Sequence, residues 1–258
     1  VWQTDRVSSS LFKGIFIEYL SPPYPRLNIC MDYEYYYNRL PGQKPWRNNL
    51  IYTSLISSDR KTFVQWYYND ERYHIGENQV VDPSLMGEKW DREVKYLTLM
   101  SSSYPELVPQ ILEIDQSDRK IYLRIDGNDF WQKSYDIDGS FYDVVPDWDE
   151  QILDIVRAHR SLGLYKYSMH PSSYFVLDGK LKSINYFFTY HESESNISIH
   201  DVESHIYSTR QEEMKKHIAR LNIDWYSPQS FELLNELCWE SFRTNYPEDF
   251  IEKVKCIK

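Results

Sequence analysis

Glycine is in short supply in this sequence. Only 8 of 258 residues are Gly, and none lies between Leu50 and Thr62, which disfavours folds that cradle phosphate in a Gly-rich loop. Cysteine is scarcer still. Cys30, Cys238 and Cys256 are odd in number, widely spaced and free of any CxxC pair, so reduced thiols in a cytoplasmic compartment are the expectation. No apolar run approaches the ~20 residues needed to span a bilayer, so no membrane partner is expected. The opening Val1-Trp2-Gln3-Thr4-Asp5 does not read as a signal peptide, and a start on Val leaves the true N-terminus open. Positive charge is also in deficit: 29 Lys+Arg face 39 Asp+Glu, a formal net charge of −10. Nucleic-acid binding runs on Lys and Arg contacts to phosphate, and no basic cluster offers a local exception, so no nucleic-acid partner is expected.

What is abundant is aromatic. The chain carries 23 Tyr and 8 Trp within a 41% hydrophobic, 26% charged composition, that of an ordinary globular protein. Such rings bury large areas while keeping a polar tip, which suits cores and binding surfaces alike. The length allows one large domain or two smaller lobes around a shared cleft.

Residues 1–48 form a Tyr/Pro-rich extension. Pro22, Pro23, Pro25, Pro41 and Pro45 punctuate it, so it should wrap a surface more than build a continuous element, with a short strand possible at Gly14–Tyr19. From Asn49 the pattern changes. Leu50–Ser57 and Thr62–Tyr68 read as a hairpin around Ser58-Asp59-Arg60-Lys61. Glu88–Met100 repeats Trp90, Val94, Leu97 and Met100 at helical spacing, and Val108–Ile114 with Lys120–Ile125 reads as a second hairpin. After Gly127 the chain turns mainly helical. A helix over Asp149–Leu162 stops at Gly163, a hairpin of Tyr174–Leu177 and Lys182–Phe187 turns at Asp178-Gly179, and helices follow near 202–220, 229–242 and 247–255. A β-rich stretch over 49–127 followed by an α-rich stretch over 128–258 describes an α+β protein of two lobes.

Within that frame Ala158-His159-Arg160-Ser161-Leu162-Gly163-Leu164-Tyr165-Lys166-Tyr167-Ser168-Met169-His170-Pro171-Ser172-Ser173 resembles the end of a helix and the catalytic loop of the protein-kinase and aminoglycoside-phosphotransferase superfamily. Twelve residues beyond Ser173, Asn185-Tyr186-Phe187 stands where that family has its DFG or IDF motif. Arg92-Glu93-Val94-Lys95 resembles the helix bearing the family's ion-pairing glutamate, with Glu93 in that role, and Ile125-Asp126-Gly127 falls where a hinge would. The resemblance implies a two-lobed kinase-like fold, with Glu93, Asp126 and His170 as candidate binding residues.

Its catalytic positions are substituted. Phosphoryl transfer in this family uses one carboxylate for the substrate hydroxyl, a second with an Asn for Mg²⁺, and a lysine for the phosphates. Here the catalytic-loop Asp position is Ser168, the Asn position is Ser173, the DFG Asp position is Asn185 and the third-strand Lys position is Gln65. Lys61 stands only at that strand's start, out of register. Mg²⁺ prefers anionic oxygen and is held poorly by hydroxyls and amides alone. The resemblance therefore implies a degenerate, pseudokinase-like protein with no catalytic residues and no cofactor, binding a protein or small ligand. An alternative is an atypical phosphotransferase or nucleotidyltransferase using ATP and Mg²⁺ with relocated acids such as Asp178, Glu192, Glu194 or Asp201. A third is a structural phage protein.

Glu93, without its lysine, is expected to be a solvated helix charge. His159-Arg160-Ser161 still lies on the helix and is no catalytic triplet. Asp136-Ile137-Asp138-Gly139 lacks the glycine spacing of a calcium loop, and His191, His200 and His205 lack zinc-site spacing, so no metal is expected. The His-Pro-Ser-Ser and Asn-aromatic-Phe-Phe phrasing is also similar to uncharacterised marine bacteriophage proteins. That likeness implies an infected host's cytoplasm and a host or virion protein as partner, with residues 1–48 as the first candidate contact surface.

Overall fold

Strands β2 (Tyr52–Ser57) and β3 (Thr62–Tyr67) form the hairpin their aromatic and β-branched residues require, with Tyr52 opposite Tyr67 and Ile56 opposite Phe63. The Ser57 hydroxyl organises the turn. It donates to Asp59 Oδ1 at 2.6 Å and accepts from the Thr62 N–H at 2.9 Å. The computed structural model describes residues 32–36, 52–67, 83–194, 239 and 243–257. The expected strand at Gly14–Tyr19, the expected helices near 202–220 and 229–242, Cys30, Cys238, His200, His205 and Asp201 lie outside the described residues.

A second hairpin, β4 (Ile111–Asp115) and β5 (Lys120–Arg124), joins the first through β3 and β5, giving with β1 (Tyr33–Tyr35) an antiparallel sheet of order β1-β2-β3-β5-β4. Helix α1 (Pro83–Ser103) connects the hairpins and starts five residues earlier than periodicity alone predicted. Trp90, Val94, Leu97 and Met100 are all buried, as their spacing requires.

Part of the Tyr-rich extension joins the sheet. Tyr33–Tyr35 is β1, paired antiparallel to β2 with Tyr33 opposite Ser57 and Tyr35 opposite Leu55. The reason is local. Pro25 and Pro41 flank the segment without entering it, so its donors remain available to an edge that would otherwise stay unpaired.

Downstream come α2 (Phe130–Asp136), α3 (Phe141–Val144) and α4 (Trp148–Ser161). Asp129 caps α2, accepting from the Gln132 N–H at 2.9 Å. In α4, Ile152, Ile155, Val156 and His159 share the buried face. Next are β6 (Leu164–Lys166), the hairpin β7 (Tyr174–Leu177) and β8 (Lys180–Ser183), β9 (Thr189–His191) and α5 (Glu248–Lys255).

Strand β8 is a second correction. Asp178 and Gly179 have φ of 53° and 73°, a two-residue turn that forces Lys180 opposite Leu177. The return strand is thereby over at Ser183 rather than running to Phe187. Thr189–His191 pairs instead with Leu164–Lys166. Architecture is thus mixed, a β-sheet toward the N-terminus followed by helices and small hairpins. One apolar cluster lies between the sheet, α1 and the 184–190 segment, and another surrounds Trp148, Phe130, Tyr174 and Phe250.

Gly163 ends α4 with φ +66°, and a Cβ there would come within 3.1 Å of Glu192 Cδ and His191 Nε2. Gly163→Ala therefore loses about 1 kcal/mol or more, read as a lower urea midpoint at unchanged slope.

Candidate functional site

Strand alternation decides what reaches the interior from β3. Phe63, Gln65 and Tyr67 share one face, all buried, and each meets a different element. Phe63 packs on Phe175 of β7 at 5.0 Å between ring centroids, Gln65 reaches Asn185, and Tyr67 reaches α1.

The four positions that carry the kinase resemblance come together. Asn185 is their hub. Its Oδ1 accepts from Gln65 Nε2 at 2.9 Å and from the Tyr52 hydroxyl at 2.8 Å, while its Nδ2 donates to Ser173 Oγ at 3.0 Å. Ser173 Oγ lies 3.3 Å from Ser168 Oγ. All five side chains are buried. Asn185 takes φ 66°, a left-handed conformation in which Asn is among the few tolerated non-glycine residues. Ser173 is placed by the short 3₁₀ turn Pro171–Ser173, and its carbonyl accepts from the Ile184 N–H, holding the two segments in register. Among the described residues neither serine has a base as hydrogen-bond partner, and an unactivated hydroxyl is a weak nucleophile.

Glu93 corrects the expectation of a solvated charge. It is fully buried, and its Oε2 accepts from the Tyr67 hydroxyl at 2.9 Å and the Phe187 N–H at 2.8 Å. It lies three residues after Trp90 and four before Leu97, so helical spacing itself puts it on the buried face. Burial raises its carboxyl to about 7, partly opposed by the Tyr67 hydrogen bond and the Lys166 charge. Lys166 is buried and donates to the Ser168 carbonyl. Among the described residues, Gln65 Oε1 and Glu93 Oε1 are buried with no hydrogen-bond partner.

Rings close around this polar core. Tyr52 packs on Tyr67 at 5.2 Å and on Phe187 at 5.5 Å. Tyr36, just past β1, stands edge-on to Phe63 at 5.5 Å, and its hydroxyl donates to Asp129 Oδ2 at 2.7 Å. Asp129 is buried, which raises its carboxyl to about 7 against the Tyr36 hydrogen bond. His159, buried beside the Tyr186 hydroxyl at 3.3 Å, is pushed well below the ordinary imidazole range by desolvation and then by Lys166.

The remaining candidates lie elsewhere. Asp126 is on the surface, ion-paired with Lys61. His170 caps the 3₁₀ turn, its Nδ1 accepting from the Ser172 N–H at 3.1 Å, and burial lowers it to about 4. Asp178 occupies its turn, and Glu192 lies against Gly163. Glu194 is held by Arg92, Lys95 and the Tyr96 hydroxyl on α1. Asp136 accepts from Asn128 and Gln132. His191 Nδ1 accepts from the Ser193 N–H, and Cys256 is a free, exposed thiol. Among the described residues no cluster of His, Cys, Asp and Glu could hold a metal, and no helix is long and apolar enough to cross a membrane. Sequence reasoning missed Tyr52, Tyr36, Asp129 and Lys166. Tyr52 faces Tyr67 across the hairpin, so the β2–β3 register was the signal that could have found it.

No protein-family model matches the chain, and no curated protein matches it. Among solved structures it is similar to the co-crystal structure of WbdD and the kinase inhibitor LY294002, at 10% identity and a TM-score of 0.42, over 81% of this chain and 50% of that one. The chain thus spans about half the length of that structure.

Two tests follow from the buried groups. Tyr52→Phe removes one donor from Asn185 and costs about 1 kcal/mol, whereas Asn185→Ala strands three buried partners and costs about 3 kcal/mol or more, both read by urea unfolding. Glu93 has a folded-state pKa above its unfolded value, so the native chain holds the extra proton. Its stabilising contribution is present at about pH 4.5 and falls as pH rises toward 7. Relative to Glu93→Gln, the wild type should lose up to about 3 kcal/mol across that window. Asp129 and His159 titrate alike in both proteins and cancel in the difference.

Proposed function

We propose that this chain is a non-catalytic, kinase-like protein of two lobes, a β-rich lobe over 49–127 and a mainly helical lobe over 128–258, that acts by binding a protein or small ligand. The observation that carries this reading is the buried hydrogen-bonded chain through Gln65, Asn185, Ser173 and Ser168. Where phosphoryl transfer needs ionised groups aimed at phosphate and metal, these side chains are neutral and spend their hydrogen bonds on one another. Phe63, Phe175 and Tyr36 pack together alongside, which further supports a site without nucleotide or Mg²⁺.

The rival, an active transferase with relocated acids, needs a carboxylate within reach of that chain. Glu194 is held by Arg92 and Asp178 lies in the turn between β7 and β8, and no side-chain hydrogen-bond partner of the four residues is a carboxylate among the described residues. On the phage-like phrasing, the partner would be a host or virion protein met in the host cytoplasm.

Thermal unfolding with ATP, with and without Mg²⁺, tests the reading. A ligand present at a hundredfold its Kd stabilises by about 2.7 kcal/mol, so binding is readily seen. The expected result is an unchanged Tm in both conditions. A Mg²⁺-dependent rise that disappears on changing Glu192 or Glu194 would sink the proposal and favour the rival.

A further inference from the structure

Four large apolar side chains are exposed among the described residues, and three of them lie within eight positions of one another. Tyr135 is 42%, Ile137 55% and Tyr142 49% exposed. They sit where α2 ends and α3 begins. The connection is tight: Gly139 N donates to the Ser134 carbonyl at 3.0 Å, and Ser140 and Asp143 form a capping box. A Cβ on Gly139 would come within 3.0 Å of Ile137 Cδ1 and 3.2 Å of Asp143 Oδ2, so the end of one helix and the start of the next share a single surface. Singly exposed apolar residues are ordinary, whereas a contiguous group, and above all an isoleucine with no polar tip, marks an interaction site.

The charge around this patch is predominantly negative. Asp136, Asp138 and Asp143 interleave with the apolar residues, and none of the three has an ion-pair partner among the described residues. No Lys or Arg occurs between Lys133 and Arg157. Lys133 lies against Gly127, facing Asp126. Lys180 approaches Asp147 and Lys253 approaches Asp149, each at 3.6 Å, and the Lys253 charge, which also reaches Tyr142, is met there by Asp149 and Asp249.

We propose that the α2–α3 corner is a docking surface for a basic amphipathic segment of a partner protein, its apolar side chains covering Tyr135, Ile137 and Tyr142 and its cations meeting Asp136, Asp138 and Asp143. Alternating apolar and acidic groups select a segment that alternates apolar and cationic ones. The same acids repel nucleic acid and anionic bilayers. The inference is independent of whether the buried chain at Asn185 binds nucleotide.

The full chain is titrated into a fluorescently labelled Leu/Lys amphipathic helix about four turns long, and in parallel into its Leu/Glu counterpart, with anisotropy as readout. The Lys peptide should bind and the Glu peptide should not. Ile137→Ser and Tyr142→Ser should each weaken the Lys peptide about tenfold or more, while Tyr35→Ser, at the exposed tyrosine on β1, should leave it unchanged. Circular dichroism confirms that the variants fold. Absence of binding by the Lys peptide, equal binding of both peptides, or equal binding by the Ile137 and Tyr142 variants overturns the proposal. So does a dimer in sedimentation velocity that Ile137→Ser dissociates, since a second copy would then occupy the surface.

Discussion

Asn185 joins parts of the chain far apart in sequence with one amide. Its oxygen takes two donors from the sheet, Tyr52 and Gln65, and its nitrogen gives to Ser173 in the loop before β7. A buried amide left unpaired costs the full desolvation of its groups, so each partner is constrained by the others. The left-handed backbone at Asn185 is part of the same arrangement. It ends the run after β8 and turns the chain so that Phe187 N reaches Glu93.

The side chains hydrogen-bonded to that amide are neutral, whereas Glu93 and Lys166 are buried and titratable. The buried Glu93 carboxyl, with the Tyr67 hydroxyl, the Lys166 charge and the Phe187 and Tyr186 backbone N–H groups all favouring its ionised form, is still raised to about 7, because desolvation outweighs them. The His159 imidazole is pushed the other way by the same low dielectric and the same lysine. These groups oppose each other below neutrality. Lowering pH favours folding through Glu93 and Asp129 and disfavours it through His159 and His170.

The surface is organised differently. Acid accumulates over 136–154 without intervening cations, in contrast to α1, where Arg92 and Lys95 hold Glu194. The chain's negative balance is thus unevenly spread, and exposed rings occupy the region where acid is densest.

Much of the fold was legible in the sequence. Both hairpins of the sheet, the apolar face of α1, the stop at Gly163 and the turn at Asp178-Gly179 follow from local periodicity and backbone preference. The four substituted positions could be named from motif spacing. Less was legible where the answer depended on a partner remote in sequence. β1 forms because an edge of β2 is open to it. The return strand ends at Ser183 because its turn fixes the register and Asn185 breaks it. Glu93 changes from an expected solvated charge to a buried acceptor because Tyr67 and the Phe187 N–H arrive from other elements. The sequence by itself determined that Ser168, Ser173, Asn185 and Gln65 carry neutral side chains, since residue identity needs no partner. Only the tertiary structure decided that Ser168, Ser173, Asn185 and Gln65 hydrogen-bond to one another, because hydrogen bonds between residues up to 120 positions apart are set by packing and not by spacing.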